Sequence, residues 1–246
     1  ASWTQAESDV VEVLIRLKPK ALLWGHDASW KGSSLRVELR RPPVIAKAPA
    51  SVFQGRTILI DPGHMPSSPG AIGPRGTLES ESNYAIAKDL KTLLSAQGAH
   101  ALLSRAPEEK EVSLPERIRR AWLKKADLFV SVHNNALPDG DDPFASKHGF
   151  SIFYYHPHSL ALADAVYRSY RRNITLPGEG LRYGNLYVTR ATQMPSILTE
   201  SAYLMFPEQE ELLRESAGRK RFARAMFEGL RDFLEAERKR QGGGKP

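Results

Sequence analysis

The sequence predicts an α/β protein: a single mixed, mostly parallel twisted sheet flanked by helices, preceded by a short β-rich N-terminal segment. Three observations carry that prediction. From residue 57 onward, short apolar runs alternate with longer segments of helical periodicity, the pattern of a sheet covered by helices. Over the first forty residues, apolar and polar positions instead alternate with period two. No apolar run approaches the roughly 18 residues that cross a bilayer, so no membrane span is expected.

In chain order, Val11, Val13, Ile15 and Leu17 alternate with Glu12 and Arg16, although Leu14 breaks the pattern. Leu35, Val37 and Leu39 alternate with Arg36 and Glu38, and residues 21–24 supply a candidate strand between them, with turn residues at 25–29. Three such strands form a thin sheet that buries little alone. Residues 1–40 therefore read as the end of a larger β-domain, or as a sheet leaning on the next domain. Residues 41–54, with Pro42, Pro43 and Pro49, have the composition of an extended linker. Residues 57–60 are a short apolar strand. Residues 83–97 are helical, with Ile86, Ala87, Leu90, Leu93 and Leu94 on one face and Gly98 as a stop. Strands follow at 101–104, 128–132, 150–155, 186–189 and 197–200, and helices at 114–124 and 160–171. Residues 208–237 are helical with a break expected at Gly218, which ends an α/β unit at 55–237. The tail at 238–246 is charged and then Gly-rich, the composition of a disordered end.

The absence of cysteine excludes disulfides, thiolate metal sites, iron–sulfur clusters and a cysteine nucleophile, so any metal must sit on His, Asp or Glu. Thirty-five Lys and Arg against 28 Asp and Glu give a net charge of +7, which attracts polyanions such as nucleic acid, anionic lipid or an acidic wall polymer. No aromatic-interleaved basic motif favours nucleic acid. The chain opens without a basic and apolar leader, as expected if an export signal has been removed or never existed.

Four polar residues fall where strands meet loops. His64 follows the strand at 57–60, Glu79 lies just before the first long helix, His133 continues the strand at 128–132, and Glu200 ends the strand at 197–200. Ligands bind at the carboxyl ends of strands in open α/β sheets, so His64, His133 and Glu200 should converge. Two imidazoles and a carboxylate suit zinc and leave a fourth position for water, and a second carboxylate can take a proton from that water. The separations of 15, 54 and 67 residues match no compact metal motif. From spacing alone, capped or hydrogen-bonded core residues remain the alternative.

Five segments in order narrow that choice: Ile58-Leu59-Ile60-Asp61-Pro62-Gly63-His64, Pro69-Gly70-Ala71-Ile72-Gly73, Ser131-Val132-His133-Asn134-Asn135-Ala136, Tyr154-Tyr155-His156 and Met194-Pro195-Ser196-Ile197-Leu198-Thr199-Glu200. Over about residues 55–236 the chain resembles the zinc-dependent N-acetylmuramoyl-L-alanine amidases that cut bacterial peptidoglycan, a family that includes division-associated enzymes. The resemblance implies one Zn²⁺ per chain on His64, Glu79 and His133, with Glu200 as the catalytic carboxylate. Glu79 is preferred to Glu81 because the family's ligand stands four residues before an Asn, here Asn83. It further implies hydrolysis of the bond between the lactyl group of N-acetylmuramic acid and L-alanine, in the periplasm or cell wall. Met65, Pro66 and Ser68 depart from the family's two Gly and Asp, which alters a cleft loop. Residues 137–148 are too few for the inserted helix that plugs some members, so an open cleft without an activator protein is expected. A zinc peptidase acting on another amide, or a non-catalytic wall-binding protein, are the competing readings. His156, His158, Arg105 and Arg182 receive no assigned role, and neither the oligomeric state nor the preferred stem peptide follows from the sequence.

Overall fold

The computed structural model describes residues 1–18, 21–138, 140–142, 145 and 148–242. Its N-terminal part is not one three-stranded sheet but two separate antiparallel hairpins. One pairs β1 (Ser2–Gln5) with β2 (Val11–Leu14), and the other pairs β3 (Gly25–Lys31) with β4 (Ser34–Arg40). The strand expected at 21–24 falls instead on the supposed turn at 25–29. Trp24 is pulled into the core, and the reversal moves to Gly32 at φ +60°. The second hairpin is fastened to the main body: His26 donates its N–H to the Thr192 carbonyl at 2.7 Å, and Arg40 donates to the Ala126 and Gln193 carbonyls at 2.9 and 2.8 Å. Gly25 permits this approach, since a Cβ there would lie 2.3 Å from the Gln193 oxygen. Residues 41–54 contain no helix or strand, and Ile45, Val52 and Phe53 anchor them in the core.

The main sheet has six strands in the order β6-β5-β7-β10-β8-β9. Its members are β5 (Thr57–Pro62), β6 (His100–Leu103), β7 (Leu128–Asn135), β8 (Phe150–Tyr154), β9 (Gly178–Tyr183) and β10 (Ser196–Tyr203). β6, β5, β7 and β10 run parallel; β8 is antiparallel to β10, and β9 is parallel to β8. Alternation sorts the side chains by face. Ile58, Ile60, Val130, Val132 and Ile197 meet helices α1 (Glu79–Ala96), α3 (Pro157–Asn173) and α5 (Ser216–Gly242), whereas Leu59, Phe129 and Leu198 meet Ala121 of α2 (Leu114–Leu123). α4 (Pro207–Arg214) precedes α5.

Several expected boundaries move. α1 begins four residues earlier than the expected start at 83, because polar Glu79, Ser80, Ser82 and Asn83 are buried in its first turns. The strand expected at 186–189 is a 3₁₀ turn (Val188–Arg190), in which the Thr189 hydroxyl donates to the Gly184 or Leu186 carbonyl at 2.7 or 2.9 Å. The edge strand is β9, whose Gly178, Glu179, Gly180 and Arg182 disguise it while suiting a position without an outer neighbour. The last helices part at Glu215 rather than at Gly218. Gly218 is needed in the first turn of α5, where a Cβ would meet the Leu212 oxygen at 1.9 Å. The tail is helical through Gly242, since Gln241 pairs with the Ile45 N–H at 3.0 Å and the Pro43 carbonyl at 2.9 Å; residues 243–246 lie outside the described residues.

His156 and His158, at the start of α3, stack 5.2 Å apart, and His26 of β3 approaches both at 6.1 Å. The His156 Nε2 lies 3.0 Å from the Arg190 oxygen. Burial, followed by the neighbouring His156 and His26, pushes His158 down to about 4 from its ordinary 6.5. A pKa depressed in the folded state gives stability that is full above 6.5 and lost as pH falls from there to about 4. Thermal denaturation between pH 7 and pH 4 should therefore show a larger fall in Tm for the unmodified chain than for His158→Gln, with Asp27 beside His26 moderating both. Equal falls would refute this.

Candidate metal and catalytic site

The site forms at the carboxyl end of β5, β7 and β10. His64 is the second residue after β5, His133 is the sixth of β7, and Glu200 is the fifth of β10. The last two strands run past these residues, to Asn135 and Tyr203, because their pairing resumes beyond a register shift. Glu79 is the first residue of α1 rather than a loop residue preceding it. Its carboxylate is buried and takes donors on both oxygens. Oε1 accepts from the Asn134 N–H and the Asn83 side-chain amide, each at 3.1 Å, and lies 3.2 Å from His133 Nδ1. Oε2 accepts from the Ala71 N–H at 3.0 Å and lies 3.0 Å from His64 Nε2. Burial alone would push this carboxyl up, but the hydrogen bonds from His133 and His64 outweigh it and hold the group well below the usual carboxylate range. Glu81 is exposed and takes no part.

One donor atom from each of His64, Glu79 and His133 lies within 4.8 Å of the other two. Two imidazole nitrogens and a carboxylate oxygen that face one another are a donor set that fits zinc with a position left open. Asn83 and Asn134 brace it: the Asn134 amide donates to the Asn83 side-chain oxygen at 2.8 Å, so the carboxylate cannot rotate freely. Glycine makes room for the cluster at two points. A Cβ on Gly63 would lie 2.3 Å from His133 Nε2, and one on Gly70, at φ +77°, would lie 2.3 Å from Glu79 Oε2.

His64 itself has φ +60°, an uncommon conformation for a residue with a side chain. Two buried arginines hold it there. Arg117 donates to the Val112, Pro62 and His64 carbonyls at 3.1, 3.0 and 2.9 Å and pairs with Asp61 at 3.0 Å, while Ser104 and Ser131 also donate to Asp61. Arg105 donates to the Pro62 and Ser80 carbonyls at 3.1 Å and lies over the Tyr84 ring. Arg105 is thus a structural residue. Sequence reasoning missed Arg117 and Asp61, and the buried charge within an otherwise apolar strand was the available signal. Met65 and Ser68 exchange backbone hydrogen bonds at 3.2 and 3.0 Å, closing the loop that follows His64 into a tight turn.

Glu200 stands opposite His133 on the neighbouring parallel strand and opposite Ser151 on β8, so all three side chains issue from the same face. Glu200 lies outside the three-residue cluster, and its Oε2 is buried without a hydrogen-bond partner among the described residues. Burial, and secondarily the Glu79 carboxylate, pushes its carboxyl well above the ordinary value. Arg182 lies two strands away, exposed and paired with Glu179 at 2.9 Å.

Residues 58–232 match the N-acetylmuramoyl-L-alanine amidase family. The chain is 35% identical over 175 residues to the N-acetylmuramoyl-L-alanine amidase LytC of Bacillus subtilis, covering 71% of this chain and 35% of that protein. It is 30% identical over 186 residues to the probable cell wall amidase LytH of Staphylococcus aureus, covering 75% of this chain and 60% of LytH. The match thus spans between about a third and three-fifths of these curated relatives. Among solved structures, the amidase AmiC2 of Nostoc punctiforme superposes with a TM-score of 0.68 at 32% identity, over 74% of this chain and 99% of AmiC2. An N-acetylmuramoyl-L-alanine amidase of Clostridium difficile 630 gives 0.69 at 27% identity, over 75% and 99%. The CwlD amidase from Clostridioides difficile, solved in complex with the GerS lipoprotein, shares the fold at 23% identity.

Arg117→Met should cost about 3–5 kcal/mol, because it leaves Asp61 charged and buried without its partner; denaturant unfolding would measure the loss. Gly70→Ala should leave the far-UV circular dichroism intact but weaken zinc capture at least tenfold in competition with a chelator. Unchanged affinity would contradict the role given to Gly70.

Proposed function

The chain belongs to the N-acetylmuramoyl-L-alanine amidase family, and from that premise we propose that it hydrolyses the amide joining N-acetylmuramic acid to L-alanine of the peptidoglycan stem. The observation that carries the proposal is the convergence of His64, Glu79 and His133, with Glu200 in register beside His133. His64, Glu79 and His133 would hold one zinc ion, with Asn83 and Asn134 fixing the carboxylate and Arg117 fixing the His64 backbone. When bound, zinc supplies a Lewis acid that makes water acidic and polarises a carbonyl.

Glu200 does the proton work. Its buried and unpartnered Oε2 is an acceptor for a proton from the attacking water. The same carboxyl then returns that proton to the alanine nitrogen as the amide bond breaks, so the free amine leaves and a carboxylate remains on the lactyl group. Residues 131–133 and 198–200, hydrogen-bonded side by side in the sheet, keep donor and acceptor in a fixed relation.

The substrate puts the reaction at the cell wall, as the name of the relative LytH also suggests. The open cleft rests on the shortness of the segment 137–148, of which residues 139, 143, 144, 146 and 147 lie outside the described residues. CwlD was solved with a lipoprotein partner, so a short segment here does not by itself argue that this chain acts alone.

Glu200→Gln should abolish turnover of purified peptidoglycan while zinc remains bound at one equivalent, and His133→Ala should lose the metal as well. New N-terminal alanine and free lactyl carboxylates in the wild-type digest would support the amidase. Other new amino termini would point to a peptidase, and none at all to a binding protein.

A further inference from the structure

A carboxylate subsite can be read at the catalytic end of the edge strand, deepening the function proposed above and resting on it. Glu179 of β9 is the fixed point. Its Oε1 accepts from the Gly149 N–H at 2.9 Å, and its Oε2 accepts from the Tyr203 hydroxyl at 3.1 Å and from Arg182 Nη2 at 2.9 Å. Gly149 precedes the first residue of β8, and Tyr203 is the last residue of β10, three residues after Glu200. The Arg182 guanidinium is therefore tethered toward the end of the sheet where Glu200 and His133 lie. Arg182 also projects from the same face as Glu200: it is registered with Phe153 on β8, two residues from the Ser151 that faces Glu200. Two strand spacings of about 4.8 Å separate β9 from β10, so the backbones that carry Arg182 and Glu200 stand roughly 10 Å apart across the sheet, with Arg182 two residues further along it and its side chain drawn back to Glu179.

Arg182 differs from the other arginines near the site. Arg105 and Arg117 are buried and spend their donors on backbone carbonyls and, for Arg117, on Asp61, whereas the Arg182 side chain is 48% exposed and Glu179 is its sole partner among the described residues. A guanidinium carries five N–H donors in a planar fork that matches a carboxylate, so most of its capacity faces solvent in a defined orientation. Glu179 keeps two further donors, which disperse its charge and leave the arginine able to accept a second anion.

We infer that Arg182 is a specificity residue that binds a stem-peptide carboxylate one or two residues beyond the L-alanine whose amide is cut. An extended chain advances about 3.3–3.6 Å per residue, and a carboxylate on the next residue or the one after falls within the span from Glu200 to β9.

The test uses two synthetic muramoyl peptides, one with a free carboxyl on the residue after L-alanine and one with that carboxyl amidated. The wild-type chain should show kcat/KM at least tenfold higher for the acid. Arg182→Gln should bring the ratio to about one by raising KM for the acid only, and Arg182→Lys should restore part of it. Equal kcat/KM on the two compounds in the wild-type chain, or a preference that survives Arg182→Gln, would overturn the subsite. Failure of the wild-type chain to cleave either compound would count against the amidase reading instead. In that case, calorimetric binding of the same two compounds to the wild-type and Arg182→Gln chains decides the subsite: a preference for the acid lost with Arg182 sustains it, and equal binding removes it.

Discussion

One buried carboxylate, Glu79, joins stretches of chain that are far apart in sequence. It accepts hydrogen bonds from the loop at Ala71, from the next turn of its own helix and from the end of β7, and its oxygens face both His64 and His133. An ionised carboxylate out of contact with water is costly unless each oxygen is satisfied. The fold meets that condition only when β5, β7 and α1 are all in their native positions. The same residue that could hold a metal is therefore also the one that makes the correct packing of these elements self-consistent.

Around it, the structure separates tasks by distance from the His64, Glu79 and His133 cluster. Strands β5, β7 and β10 provide rigid, register-fixed attachment points at one end of a sheet that is apolar on both faces. Arg117, paired with Asp61, and Arg105 then hold the backbone carbonyls of Pro62 and His64, which lets His64 keep a left-handed conformation that its side chain disfavours. Glycines at 63 and 70 lie where any side chain would occupy the space of His133, Glu79 and His64.

The two N-terminal hairpins belong to a different regime. β3 and β4 attach at the opposite end of the sheet, through Arg40, His26 and Gly25, whereas β1 and β2 are exposed along their whole length. Trp3 and Trp30, each 71% exposed, lie on these hairpins, while the large apolar residues of the six-stranded sheet, such as Ile58, Phe129 and Phe150, are buried. The candidate site thus lies wholly within residues 57–242, and the segment before it adds Trp24, Ile45, Val52 and Phe53 to the core.

The α/β class, the order of most elements and the three polar residues at strand ends were readable in the chain, because apolar periodicity and strand-end position are local properties. His64, His133 and Glu200 were legible for that reason. The hairpin pairing, the start of α1 at Glu79 and the edge strand β9 were not, since buried Ser and Asn residues and paired glycines carry no apolar signal. Glu79 was preferred to Glu81 through the family resemblance at Asn83, but it took the folded chain to bury that carboxylate between the two histidines, to bring Arg117 to the carbonyl of His64 and to pair Arg182 with Glu179. The first two depend on which residue from a distant segment comes within about 3 Å of another, and spacing along the chain does not encode that distance.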